Sequence, residues 1–329
     1  MRKDTGIINL WRKLAYRYPA LSGIASYLPG KSIEKGPGGT SADPRYCYTV
    51  WMRHLVSSWK NGMDKIPDTV GELGPGGSLG AGICALLSGA STYYAFDAVA
   101  HTDPAENTGL LRDLAEMLGR REDIPGDGEF PATLPYLDSY AFPEHILTDE
   151  LLEKTLNEKR VEQVSEALEN PGKRCGEILI SYVAPWKSSD GPGKESLDML
   201  FSQAVMGLVD DISDSYALTF DWLKKGGLSS HVLEFASSRG KLMGRWNAHW
   251  CYSNAGWRCM KGKKPFIENR QPHSAHIESL EGCGFTLVCD EKKFLASAVK
   301  RDELSRAFRK ISDEDLKTKS AFVQAVKKP

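Results

Sequence analysis

What the 329-residue chain lacks narrows its function first. Its seven cysteines (47, 84, 175, 251, 259, 283 and 289) contain no CxxC pair and are odd in number, so neither a disulfide framework nor a zinc site is indicated. A reducing cytoplasm is the expected compartment. No stretch approaches the ~20 uninterrupted apolar residues of a membrane span. A surplus of charge is missing too: 42 Lys and Arg stand against 43 Asp and Glu, which argues against a general nucleic-acid binder. There is no internal repeat and no metal signature. Asp210, Asp211 and Asp214 cluster, but adjacent acids at a helix start are ordinary N-terminal charge placement. The N-terminus is not read as a signal peptide, because Arg12, Lys13 and Arg17 interrupt any apolar run.

What is present is an ordinary globular composition, 41% hydrophobic and 26% charged, long enough for one large domain with insertions. Residues 1–35 are basic, with Ile7, Ile8, Leu10, Trp11 and Leu14 at roughly helical spacing. They are expected to pack on their own domain, with weak attachment to an anionic membrane surface as the sharper alternative. A Gly/Pro-rich connector (29–44) precedes Tyr48, Trp51, Leu55 and Trp59 at helical spacing, so residues 1–60 are read as a helical arm that lids the site. Then "TVGEL", "SLGAGICALLSGA" and "TYYAFD" read as strand, helix, strand within about thirty residues, a parallel βαβ unit. Residues 102–174 read as a helical insertion covering one end of the sheet. Strands resume at "GEILISYVAPW", "SLDMLFSQAVMGLVDD" and "LSSHVLEF"; "HIESLEGCGFTLVCDEKKF" reads as helix, glycine turn, strand. The main domain is thus placed at 61–299, followed by a helical, solvated tail at 300–329.

Gly74, Gly76 and Gly80 lie between a strand and a helix, at the carboxyl edge of a parallel sheet where ligands bind. Glycine lets a ligand approach the backbone, and the new helix presents free N–H groups. Asp97, ending the next strand, can accept from both hydroxyls of a ribose. NAD would satisfy this spacing. Glu72, two residues before the first glycine, is unfavourable beside a pyrophosphate and favourable beside the cationic amino acid end of S-adenosylmethionine.

With these residues the chain resembles the class I S-adenosylmethionine-dependent methyltransferases. "ELGPGGSLG" matches their first motif, with Glu72, Gly74, Pro75, Gly76 and Gly80 in place; Asp97 matches the ribose-binding acid. "LDMLFSQAVMGLVDD" resembles the fourth-strand motif through Ser202 and Gln203, "WLKKGGLSSHVLEF" the Lys-x-Gly-Gly turn and fifth strand, and "GCGFTLV" the final hairpin. The resemblance spans about residues 66–236. It implies a Rossmann-like α/β fold: a mostly parallel sheet ending in an antiparallel hairpin, with helices on both faces. It implies S-adenosylmethionine as cofactor, and Tyr182 and Val183 as candidates beside the adenine. The chain departs from the family where Gly207-Leu208 follow Val205-Met206 instead of Glu-His.

The acceptor is expected to be a hydroxyl on a small molecule or glycan, for which histidine is the usual base. His231, at the ligand edge of the fifth strand, and His249 are the candidates, each weighed against a purely structural histidine. The segment 237–280 is expected over the acceptor, with Trp246, Arg270 and His276 as candidate contacts; ordinary packing and a homodimer contact are its other readings. A non-catalytic S-adenosylmethionine-binding or assembly protein, and then an NAD(P)-dependent oxidoreductase, remain the alternatives.

Overall fold

The computed structural model describes residues 40–328, apart from 101, 103, 187–189, 238–243, 263 and 265–266. The apolar N-terminal stretch around Ile7–Leu14 and most of the 29–44 connector lie outside the described residues.

Eight strands form one sheet in the order β3-β4-β2-β1-β5-β6-β8-β7. They are β1 (Thr69–Leu73), β2 (Thr92–Phe96), β3 (Arg174–Cys175), β4 (Ile178–Val183), β5 (Leu197–Gln203), β6 (Leu223–Glu234), β7 (Phe285–Phe294) and β8 (Thr318–Lys327). The strands β4, β2, β1, β5 and β6 run parallel. The terminal β7–β8 hairpin and the two-residue β3 are antiparallel. This is the expected Rossmann-like methyltransferase topology, with its switch point between β1 and β5 where connections leave in opposite directions.

The first face of the sheet is covered by α1 (Pro44–Lys60), α2 (Gly80–Leu87), α3 (Pro104–Gly119) and α5 (Glu158–Glu169), with α4 (Asp149–Thr155) preceding α5. Helix α1 starts where its sequence dictates: Asp43 caps it by accepting from the Arg45 N–H at 3.0 Å, and Pro44 occupies the first position, where no N–H is needed. Tyr48, Trp51, Met52 and Leu55 of α1 are wholly buried, and Trp51 meets Phe201 of β5 edge-on at 5.7 Å. The helix is therefore part of the core as well as a wall of the site. Helices α1 and α2 touch because Gly80 has no side chain: a Cβ there would lie 2.3 Å from the Cys47 sulfur.

Residues 102–174 add helices α3, α4 and α5. They pack on the first face, with Leu110, Leu114, Val164 and Leu168 in the same core as α1 and α2, and α5 lies against β3 and β4 at one end of the sheet. Buried Arg160 ties α5 to the end of α2 by donating to the Leu86 and Ala90 carbonyls.

The second face carries α6 (Ile212–Trp222) and α8 (His273–Gly282), with α7 (Asn254–Lys261) beyond them. The crossover from β4 to β5, residues 184–196, has no α-helix among its described residues. The sheet there is left half-covered, with Leu179, Ser181 and Val183 partly accessible.

The expected helical tail is a correction. After two 3-10 turns and the short α9 (Asp313–Lys317), residues 318–327 form β8, paired on both sides. Ala321, Phe322, Val323, Gln324 and Ala325 are all buried, so the polar–apolar alternation that announces a half-exposed strand is absent.

Candidate functional site

Strand β1 delivers the glycine loop to the carboxyl edge of the sheet. Gly74 and Gly76 both have positive φ, +66° and +79°, and a Cβ on Gly74 would stand 2.5 Å from Val205. The loop is therefore restricted to glycine both by conformation and by the chain that crosses it. Two cavities meet at Gly74. The larger, about 580 Å³, is lined by Gly74, Gly76, Phe96, Asp97, Trp186 and Val205 and is rimmed by Asp210, Asp211 and Asp214. The smaller, about 180 Å³, is lined by Ser41, Tyr46, Cys47, Glu72, Pro75 and Gln203.

Glu72 is 4% exposed, and its carboxyl accepts the Tyr93 hydroxyl. Burial pushes its pKa up to about 8; the Tyr93 hydrogen bond opposes this and the negative charge of Asp97 adds to it. A positive charge placed beside this acid would favour its ionised form and draw the pKa back down. The cost of burial is testable without ligand. Unfolded Glu72 ionises near 4.5 and folded Glu72 near 8, so stability is fully present below 4.5, falls as pH rises through that window, and is level above it. Glu72→Gln, which mimics the neutral acid, is expected to gain about 3 kcal/mol over wild type at pH 7 and almost nothing near pH 4.5. Urea denaturation at the two pH values measures this; equal gains at both would disprove the linkage.

Asp97 is 8% exposed at the end of β2. Its carboxylate accepts from the N–H of Ala98 at 2.8 Å and, more loosely, of Gly76 at 3.2 Å. The Asp97 N–H is in turn held by the Val183 carbonyl at 3.0 Å. The acid is thus fixed by main chain while lining the larger cavity beside Trp186.

The other candidates divide by the face on which their strand places them. Gln203 points to the α1 side and lines the smaller cavity, as does Pro75. Its neighbour Ser202 points the other way, buried, within 2.8 Å of His231 Nδ1. Gly80 lines neither cavity and serves the α1–α2 contact instead. Tyr182 packs into the first-face core, and Val183 contributes its carbonyl to Asp97.

His231 is 1% exposed, and both ring nitrogens are taken, by Ser202 and by Ser229 at 2.7 Å. Burial pushes its pKa down to about 3, with His54 and His276 lowering it further. His249 is buried against Trp250, and burial, then Arg270, brings it likewise to about 3. Neither ring lines a cavity described here, so neither is placed to take a proton from an acceptor.

The segment 244–280 is likewise a packed unit. The Trp246 indole donates to the Ala296 carbonyl, and His276 bonds the Tyr216 hydroxyl at 2.9 Å. Arg270 donates to the Tyr252 carbonyl and the Asn254 side chain and lies over the rings of Trp257 and Phe308. Trp246 and His276 thus tie the segment to neighbouring parts of the chain, and Arg270 braces it internally, while His249 Nδ1, Arg270 Nε and His276 Nε2 are buried without a partner among the described residues.

Ser41 was not foreseen. Its hydroxyl accepts from the Gly77 N–H at 2.9 Å, and its carbonyl accepts the Ser78 hydroxyl, so the residues entering α1 sit on the glycine loop. The Asp43-Pro44 cap is the sequence signal that would have ended the connector just after it. Trp186 of the larger cavity follows the end of β4 and carries no motif of its own, while Val205 and Leu208 come from the stretch after β5 where the chain departs from the family pattern.

No protein-family model matches the chain, and no curated protein sequence does. Solved structures similar to it include S-adenosylmethionine-dependent methyltransferases. One from Mesorhizobium loti is 12% identical with a TM-score of 0.39, covering 82% of this chain and 96% of its own. One from Methanosarcina mazei is 14% identical at 0.39, covering 82% and 97%. A geranyl diphosphate methyltransferase in complex with SAM is 11% identical at 0.42, covering 86% and 85%. Among the described residues, no helix is long and apolar enough to cross a membrane.

Proposed function

We propose that the chain transfers a methyl group from S-adenosylmethionine to a small molecule or glycan, at a hydroxyl oxygen. The observation that carries this reading is the pair of cavities meeting at Gly74: one holds a buried acid suited to a cation, and the other holds Asp97 and opens toward a rim of carboxylates. The larger cavity is of the size that encloses small ligands. Glu72 fits the ammonium of the donor's amino acid end, and the same buried acid disfavours the pyrophosphate of a dinucleotide. Asp97 fits the ribose hydroxyls.

The donor supplies an electrophilic methyl on a sulfonium: its carbon–sulfur bond breaks with the electron pair remaining on sulfur as the carbon–oxygen bond forms. The protein's part is alignment and care of the acceptor's proton. Of the rim acids, Asp210 is ion-paired with Lys261 and Asp211 caps α6 by accepting from the Ser213 and Asp214 N–H groups. Asp214 has no cation partner among the described residues, which leaves its carboxylate to accept an acceptor hydroxyl, with the Trp186 ring as an apolar wall. Asp214→Asn is expected to raise the acceptor's KM about tenfold, the loss of one charged hydrogen bond, with S-adenosylhomocysteine affinity unchanged. An unchanged KM removes Asp214 from the acceptor site.

An amine acceptor is the second reading, favoured by the acidic rim and by the absence of an accessible histidine among the residues lining either cavity. Release of S-adenosylhomocysteine on incubation with panels of hydroxyl and amine compounds decides between them. Binding of S-adenosylhomocysteine with no turnover on either panel supports a non-catalytic binder.

A further inference from the structure

Behind Gln203 runs a chain of buried polar side chains that one consistent order of donors and acceptors satisfies. It starts at a main-chain carbonyl, which can only accept. The Ser58 hydroxyl donates to the His54 carbonyl at 2.6 Å, so its oxygen is an acceptor for everything else. The Gln324 group 2.9 Å away is therefore its NH2, and the same NH2 donates to the Ser230 oxygen at 2.9 Å. The Gln324 oxygen receives the Asn61 amide at 2.8 Å. Ser230, accepting from Gln324, gives its own proton to His54 Nδ1 at 2.7 Å. His54 is completely buried, and burial pushes its pKa down to about 4, so the ring is neutral; with Ser230 donating to Nδ1, its one proton sits on Nε2. That proton goes to the Gln203 oxygen at 3.3 Å. His54, Ser58, Ser230 and Gln324 are each 0% exposed, so no water competes.

The order leaves one group unspent: the NH2 of Gln203, on a residue lining the smaller cavity. That cavity also has Glu72 in its wall, offering one acid and one amide donor, the complement of a zwitterion. We propose that Gln203 donates its NH2 to the carboxylate at the amino acid end of S-adenosylmethionine, and that His54 is the positioning residue that keeps the amide from turning over. This rests on the cofactor reading above and adds to it the atom, the part of the donor it meets, and the residue behind it. A Gln203 free to flip would present its oxygen to a carboxylate half of the time, and the relay from β8 and α1 removes that state.

Calorimetry with two ligands tests it: S-adenosylhomocysteine, and 5′-methylthioadenosine, which carries the same nucleoside without the amino acid end. Gln203→Glu keeps an acceptor for His54 and turns an oxyanion toward the ligand; Gln203→Met removes the donor without adding charge. Both are expected to weaken S-adenosylhomocysteine roughly ten- to a hundredfold and leave 5′-methylthioadenosine within about twofold. His54→Leu is expected to give a smaller loss of the same selective kind, and His54→Gln, whose amide reaches the old Nε2 position, to restore most of it. A purely structural role for His54 would move both ligands together. Unchanged S-adenosylhomocysteine affinity in both Gln203 variants, or equal losses for the two ligands, overturns the proposal. Wild-type protein that binds neither ligand overturns the cofactor reading itself, and this inference with it.

Discussion

A chain beginning at residue 61 is expected not to fold. Its missing helix α1 contributes Tyr48, Trp51, Met52 and Leu55, each 0% exposed and packed into the core of the first face. Truncating one large buried side chain costs ~2–5 kcal/mol, so losing these four together removes roughly 8–20 kcal/mol. The whole stability of a domain is about 5–15 kcal/mol. The deletion also strips Gln203, Ser230 and Gln324 of His54 and Ser58, leaving buried polar groups unpaired on β5, β6 and β8. A chain beginning at residue 40 keeps all of these contacts and is expected to melt cooperatively. Circular dichroism on the two truncations reads the difference; a cooperative transition in the shorter one would mean that α1 is a detachable lid after all.

That outcome separates what the sequence made legible from what it did not. The stripe Tyr48, Trp51, Leu55 and Trp59 announced a helix with one apolar face, and the βαβ unit around the glycine loop announced a parallel sheet. Both rest on local periodicity. What periodicity could not say was which surface the apolar stripe met, because that depends on contacts across the chain, such as Trp51 on Phe201. Strand β8 was illegible for the opposite reason. Flanked by β6 and β7 and buried on both faces, it has no alternation to read, and the charged residues before it resemble a solvated helix.

The candidate site divides along the same line. Of the residues picked by position on a motif, Glu72, Gly74, Pro75, Gly76, Asp97 and Gln203 lie at the two cavities, while Gly80 and Ser202 do not. Residues chosen for chemical type alone do not. His231, His249, Trp246, Arg270 and His276 are capable of catalysis or stacking anywhere, yet each is buried away from the two cavities, packed against other side chains. Alternation decides the case of Ser202 and Gln203: adjacent on β5, they face opposite sides of the sheet, and only one reaches a cavity. His54 was hidden because a lone polar residue on an apolar helical face looks like any other until its partners on β5 and β6 are known.

Asp97→Ala is expected to weaken S-adenosylhomocysteine roughly ten- to more than a hundredfold, because a hydrogen bond to a charged group contributes ~1.5–3 kcal/mol and a ribose offers two. The carboxylate is held by the Ala98 N–H at 2.8 Å and, through its own main chain, by Val183, so it has little freedom to lose on binding a ligand. Its contact with the Gly76 N–H, at 3.2 Å, is the loosest of the set and the one a bound ribose hydroxyl is expected to replace. The loss has a signature that distinguishes it from a change at Gln203. The ribose is common to S-adenosylhomocysteine and 5′-methylthioadenosine, so both must weaken together in Asp97→Ala, whereas the Gln203 variants lose only the first. Asp97→Asn keeps an oxygen for Ala98 and controls for damage to the loop. It is expected to fall between wild type and Asp97→Ala for both ligands, since a neutral amide oxygen is the poorer acceptor. Calorimetric affinities for either ligand that do not change in Asp97→Ala would take the ribose away from this acid, and with it the orientation of the cofactor across the two cavities.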